Sequence, residues 1–201
     1  MLTSSTSKGP VATARGSVTM DYIDFNNDHA PLGYLITFRS YGTWLHGDAR
    51  GSVDRFHRGY DTPKLPPNSA RKRYEQALLK QRAVILDSRQ RAAIEFGVRE
   101  TCMIRRWSLW ALNVRTNHVH AVVSANRKSE TILNALKANA TRSMKDAGCW
   151  RSDQSPWTYR GSKKYLWTEK ELAEGIAYVE YDQGEPLPLV TEPRAVAAGF
   201  R

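Results

Sequence analysis

Trp107-Ser108-Leu109-Trp110-Ala111-Leu112-Asn113-Val114, then Arg115-Thr116-Asn117, then His118-Val119-His120-Ala121-Val122-Val123-Ser124-Ala125: the reading of this stretch decides the fold. Two β-type apolar runs around a short polar junction predict a hairpin, with strands over 107–114 and 118–125 and a turn at 115–117. Side chains alternate faces along a strand, so His118 and His120 share one face and Val119 points to the apolar side. Two neighbouring imidazoles are what a divalent metal takes from its first two protein ligands. An isolated His-x-His pair is more often solvated or bonded to its neighbours. Here it lies in an apolar strand of a strongly basic chain, which favours the metal reading.

The 201 residues carry a net charge of +10, with 41% hydrophobic residues. The pI is about 9.8 and the mean hydropathy −0.56. This length fits one domain with one core. No apolar run approaches the ~18 residues of a membrane helix, so no membrane partner is expected. The charge points to a polyanion, nucleic acid before an acidic membrane surface. Cys102 and Cys149 form neither a Cys-x-x-Cys motif nor a disulfide framework, and read as reduced thiols of a cytoplasmic protein.

Residues 1–30 read as an unstructured tail, rich in Ser, Thr and Gly over its first twenty, with Met20 as an alternative start and no apolar core for a secretory signal. A first strand is expected over 32–41 (LGYLITFRSY), followed by the glycine-punctuated Gly42-Thr43-Trp44. Residues 46–70 read as a long polar loop insertion with Pro63, Pro66 and Pro67. A helix over 71–82 is suggested by Tyr74, Ala77, Leu78 and Ile85. Asp87 or Ser88 caps another to about 102, expected to bury Ala92, Ala93 and Phe96. After the hairpin, a helix over 128–147 has Ile132, Leu136, Ala140 and Met144 as its apolar stripe, with Lys137, Arg142 and Lys145 off it and Gly148 ending it. Residues 157–167 read as a strand or bent hairpin, aromatic and basic. Thr168-Glu169-Lys170-Glu171 opens a last helix to about Gln183, and residues 187–201 read as a second tail. The order predicts an α/β sandwich with a ferredoxin-like βαββαβ core, an antiparallel sheet with helices on one face and an added C-terminal helix.

Two imidazoles make an incomplete metal site. Magnesium or manganese wants oxygen as well, from a protein group and from a phosphate. The last helix offers Asp182 and Gln183, and four residues before Asp182 stands Tyr178, on the same helical face. A phenol is a weak nucleophile at neutral pH, and a cation at the scissile phosphate favours its attack. In-line attack leaves a phosphotyrosine that a second hydroxyl can resolve without ATP. A lone helical tyrosine usually packs as core; Tyr181, Tyr159 and Tyr165 are rivals for the role.

The segments "NHVHAVV" and "AYVEYDQG", roughly sixty residues apart, with the earlier "GTW", resemble the HUH single-tyrosine transposases, in particular the REP-associated tyrosine transposases. The resemblance covers about residues 32–186. It implies that His118 and His120 bind the divalent metal and that Tyr178 forms a 5′-phosphotyrosine on single-stranded, hairpin-type DNA. It also implies a polar third ligand one turn after the tyrosine, often Asn or Gln; Asp182 stands there with Gln183 beside it, so both remain candidates. Residues 31–186 are then a catalytic domain acting as monomer or homodimer.

Arg160, Lys163, Lys164 and Tyr165, flanked by Trp157, Tyr159 and Trp167, combine stacking surfaces with phosphate-pairing charge, and Arg105 and Arg106 add candidates. The expected function is a metal-dependent transposase or endonuclease that nicks and rejoins single-stranded DNA. Two alternatives keep part of this: a non-catalytic nucleic-acid-binding regulator, and a phosphodiesterase with metal-activated water.

Overall fold

The computed structural model describes residues 30–52, 63, 65–185 and 187. The expected tails, apart from residues 30 and 187, and residues 53–62 and 64 of the 46–70 insertion lie outside them. The elements are β1 (Gly33–Ser40), α1 (Ser69–Ala77), α2 (Ser88–Arg105), β2 (Ser108–Val114), β3 (His118–Ser124), α3 (Ser129–Asp146), β4 (Trp157–Leu166) and α4 (Glu169–Tyr181). The strands form one antiparallel sheet in the order β2-β3-β1-β4. That is the ferredoxin-like arrangement, with β4 a single strand at one edge.

Alternation along the strands divides the sheet into two faces. Ile36, Phe38, Val119, Ala121 and Val123 point to one face, where they pack with Ile94 and Val98 of α2 and Leu136, Ala140 and Met144 of α3. All of these side chains but Ala121 and Ala140 are large, and each contributes about 1.5–3 kcal/mol by burial. The opposite face carries a smaller cluster, Ala111, Val122, Leu166 and Val179, which seats α4. His118 and His120 therefore share a face with α4, away from the main core.

Local signals set the helix starts. Asp87 accepts from Gln90 N, and the Gln90 side chain accepts from Asp87 N, a reciprocal cap. Thr168 and Glu171 repeat it at α4. Asn68 caps α1 by accepting from Arg71 N.

Several sequence expectations are corrected. α1 starts and ends earlier than 71–82 and buries none of its residues; Tyr74 and Leu78 are exposed, as is Ile85 beyond it. α2 buries Ala93, Ile94, Gly97, Val98, Thr101 and Cys102, while Ala92 and Phe96 face solvent. Gly97 is the cause: a Cβ there would sit 2.7 Å from Ser143 Cβ and 2.9 Å from Asn139 O, so α2 and α3 meet on this small residue and Phe96 is turned outward. Lys137 does not lie off the apolar stripe. It is buried, and its ammonium donates to the carbonyls of Thr158 (2.6 Å), Tyr159 (3.3 Å) and Arg160 (3.3 Å) of β4. Cys102 is buried, which pushes its thiol up to about 12, and Cys149 is half-buried; both are free. Among the described residues no helix is long and apolar enough to cross a membrane.

Candidate active site

The site is built from β1, β3 and α4. His118 and His120 lie on one sheet face with ring centroids 4.6 Å apart. Each engages a neighbour through Nδ1. The Nδ1–H of His118 donates to Asn117 Oδ1 at 2.7 Å, and Nδ1 of His120 lies 2.7 Å from Thr37 Oγ1. An imidazole held at Nδ1 presents Nε2, the arrangement that orients a metal-ligating histidine. Thr37 is in position because β1 pairs with β3 in the register Thr37↔His120 and Arg39↔His118. The turn before His118 is pinned by the Asn117 carbonyl, which accepts from Ser40 N at 3.0 Å and from Ser40 Oγ at 3.1 Å.

Both imidazoles are held neutral, the form that binds a metal. Burial lowers His118, with Arg39, Arg115 and Arg50 adding to it against the side chain of Gln183. Burial also lowers His120, to about 4, helped by His118 and Arg39.

α4 delivers the remaining groups. Its N-terminus is fixed by the cap at Thr168, and buried Gly175 lies close over Leu166. At its far end Asn113 Nδ2 donates to the Val179 carbonyl at 3.0 Å, and Arg115 donates to the Glu185 carbonyl at 2.8 Å. This places the Tyr178 ring edge-on to His120, centroids 5.4 Å apart. Tyr178 is 40% exposed, and the rivals Tyr181 and Tyr159 are 76% and 93% exposed. Tyr165 lies on the other sheet face, its hydroxyl 3.1 Å from Ser129 Oγ of α3.

Of the two candidates for a third ligand, Gln183 is the one that reaches the imidazoles. Its Nε2 donates to the Tyr178 carbonyl at 2.8 Å, and its Oε1 lies 3.5 Å from His118 Nε2. Asp182 stays exposed as the C-cap residue, its N–H donating to the Tyr178 carbonyl. Helical spacing favoured position 182, but the helix stops at Tyr181 and the turn brings 183 back toward the sheet. Among the described residues no three His, Cys, Asp or Glu side chains cluster. The donor set is two imidazoles and an amide, which fits a divalent ion that also takes oxygen from a phosphate.

A groove of about 420 Å³ opens beside Tyr178, lined by Thr37, Arg39, His120, Ser162, Lys164 and Glu174 among others. Lys164 thus joins the site, whereas Arg160 is exposed in the stretch 158–160 where the pairing of β1 and β4 is irregular, and it does not line the groove. Lys163 turns to the other face and pairs with Glu130 of α3. Arg105 and Arg106 end α2, next to the strand end where Ser108 pairs with Ser124, five positions along β2 from Asn113, the partner of His120. Arg39 and Thr37 were missed by motif. Their signal was available as two polar residues alternating with Ile36 and Phe38 in the first strand.

No family model matches the chain, and no curated protein does. Solved structures similar to it include two transposases. One is a REP-associated tyrosine transposase bound to a REP hairpin, at TM-score 0.40 and 9% identity over 75% of this chain and 65% of that one, just under two thirds of its length. The other is a candidate transposase from Deinococcus radiodurans R1, at TM-score 0.40 and 15% identity over 85% of this chain and 96% of that one. Neither likeness assigns a function or a residue role.

Proposed function

We propose that this protein is a metal-dependent, transposase-type DNA strand transferase with Tyr178 as nucleophile, acting on single-stranded or hairpin DNA. The observation that carries the reading is the placement of a half-exposed phenol edge-on to one of two neutral, pre-oriented imidazoles at the wall of a cationic groove. His118, His120 and Gln183 would hold a divalent ion, magnesium or manganese, which when bound supplies charge neutralisation at the phosphate.

The chain's own groups account for the rest. Asn117 and Thr37 fix the imidazoles, and Arg39 and Lys164 draw the phosphate backbone into the groove. The Tyr178 oxygen attacks phosphorus in line and its proton passes to water. The P–O3′ bond breaks, and the released 3′ oxygen takes up a proton. The 5′ phosphate is then esterified to Tyr178, and attack by an acceptor 3′-hydroxyl reverses the sequence and reseals the strand.

The test is incubation of labelled single-stranded hairpin DNA with the protein and manganese, followed by a denaturing gel. Wild type and Tyr181→Phe form a denaturation-resistant adduct, whereas Tyr178→Phe and chelator-treated wild type do not; Tyr178→Phe still binds DNA. An adduct in the Tyr178→Phe variant removes Tyr178 from the role. Multiple turnover to ordinary ends without any adduct moves the chemistry to activated water.

A further inference from the structure

Arg39 sits on β1 opposite His118, on the face that carries the histidines, and lines the groove beside Tyr178. Its guanidinium carbon lies 3.3 Å from the centre of the Trp44 ring. Trp44 is itself tied down, its indole N–H donating to the Gly51 carbonyl at 2.7 Å. A second guanidinium, Arg50, lies 4.5 Å from the same ring, but it is neutralised by Asp48 at 2.7 Å, which also meets Lys72 at 3.2 Å. Arg39 has no such carboxylate among the described residues. Burial and the neighbouring Arg50 lower it to about 10, so it remains a cation at neutral pH. A half-buried guanidinium with no counterion is costly unless an anion arrives from outside. One acid lines the groove, Glu174, and it is exposed, with Lys170 at 3.9 Å. It stands beside Gly175, one turn before Tyr178, whereas Arg39 pairs in register with His118 at the other end.

We propose that Arg39 is a phosphodiester-binding residue, its planar fork held against Trp44 so that it pairs with the backbone phosphate presented to Tyr178. Lys164 pairs with Leu35, four positions along β1 from Arg39 and about 13 Å away, and takes a phosphate farther along the same strand. The class of anion rests on the nucleic-acid reading above. The fork matters because a guanidinium meets two phosphate oxygens at once and a lysine meets one. Trp44 has the role of positioning Arg39.

The test separates binding from chemistry. Affinity for a fluorescent dT15 oligonucleotide is measured by anisotropy in chelator, over a range of salt, with every variant in a Tyr178→Phe background. Arg39→Met is expected to weaken binding about tenfold and to lower the salt slope by about 0.7, one single-strand phosphate contact. Arg39→Lys keeps the slope and loses a few-fold in affinity. It also serves if Arg39→Met fails to fold, as judged by urea unfolding. Wild-type affinity in Arg39→Lys removes the fork, and wild-type affinity and slope in Arg39→Met overturn the proposal. So does displacement of the oligonucleotide by inorganic phosphate at matched ionic strength with no change in slope, which would mark a free-anion site. A second arm restores Tyr178 and follows adduct formation at saturating DNA, where Arg39→Met is expected to slow capture by about a hundredfold or more. A slope that depends on Arg39 with no adduct in wild type keeps the phosphate site and discards the transferase. Normal adducts with an unchanged slope do the reverse.

Discussion

Asn117→Ala tests the proposed metal site through a residue outside its proposed ligand set. Asn117 does two separable things. Its main-chain carbonyl accepts from Ser40 N at 3.0 Å, Ser40 Oγ at 3.1 Å and Thr43 Oγ1 at 3.4 Å, and any residue at this position keeps those bonds. Its side chain accepts from His118 Nδ1–H at 2.7 Å, and alanine loses that bond. The side chains are half-buried, so the loss costs about 0.5–1.5 kcal/mol of folding stability in chelator. The larger effect falls on the metal, because a free imidazole must be turned and its tautomer chosen on binding. Loss of such a supporting bond weakens metal affinity about 10- to 100-fold, or roughly 1.4–2.7 kcal/mol. Isothermal titration of chelator-stripped protein with manganese reads this directly. Asn117→Asp keeps the acceptor and is expected to bind at least as well as wild type. If Asn117→Ala binds manganese like wild type, or wild type binds none, the supporting role is refuted.

Gln183→Ala is expected to weaken manganese binding by a similar factor and Asp182→Ala to leave it within about twofold; the opposite ranking in the same titration would return the third position to Asp182. Gly161→Ala is expected to destabilise by about 1–3 kcal/mol in urea unfolding. A Cβ there would lie 2.6 Å from Thr37 O, backbone that cannot yield without parting β4 from β1, and an unfolding free energy within about 0.5 kcal/mol of wild type would contradict that contact. Arg50 holds the Asp48 carboxyl well below the usual carboxylate range, with Lys72 assisting. A depressed carboxyl stabilises the fold above its unfolded value near 4 and loses that contribution as pH falls through its folded value. Arg50 and Lys72 are 46% and 39% exposed, so screening limits the contribution to about 1 kcal/mol. Asp48→Asn should flatten that part of the acid limb in pH-dependent unfolding, and an unchanged limb would remove the linkage.

The features legible in the sequence were those fixed within a few residues. Alternation in the hairpin, and the reciprocal caps at Asp87 and Thr168, are decided by the chain next to them. What depended on a distant partner was not legible. Tyr74 and Leu78 have helical spacing, but spacing cannot supply a surface to bury them against. Phe96 reads as core until Gly97 is seen to bring α3 so close that the smaller face turns inward. Lys137 reads as a solvated charge, yet its stem is long enough to carry the ammonium to three β4 carbonyls beside the irregular pairing of β1 and β4.

The same distinction runs through the site. His118 and His120 declare a shared face by themselves, but their partners Thr37 and Arg39 follow only from the β1–β3 register. A shift of that register by one residue would send Thr37 and Arg39 to the core face and bring Ile36 and Phe38 to the histidines. The register is held by the core, since Ile36, Phe38, Val119, Ala121 and Val123 are buried without measurable exposure on the opposite face. The apolar packing under α2 and α3 thus decides which side chains meet the imidazoles. α4 covers the other face through only a small cluster, which leaves the groove open beside Tyr178. Enlarging that cluster would stabilise α4 on the sheet at the expense of access to the phenol, so the modest seating of α4 suits the strand-accepting role proposed for the groove.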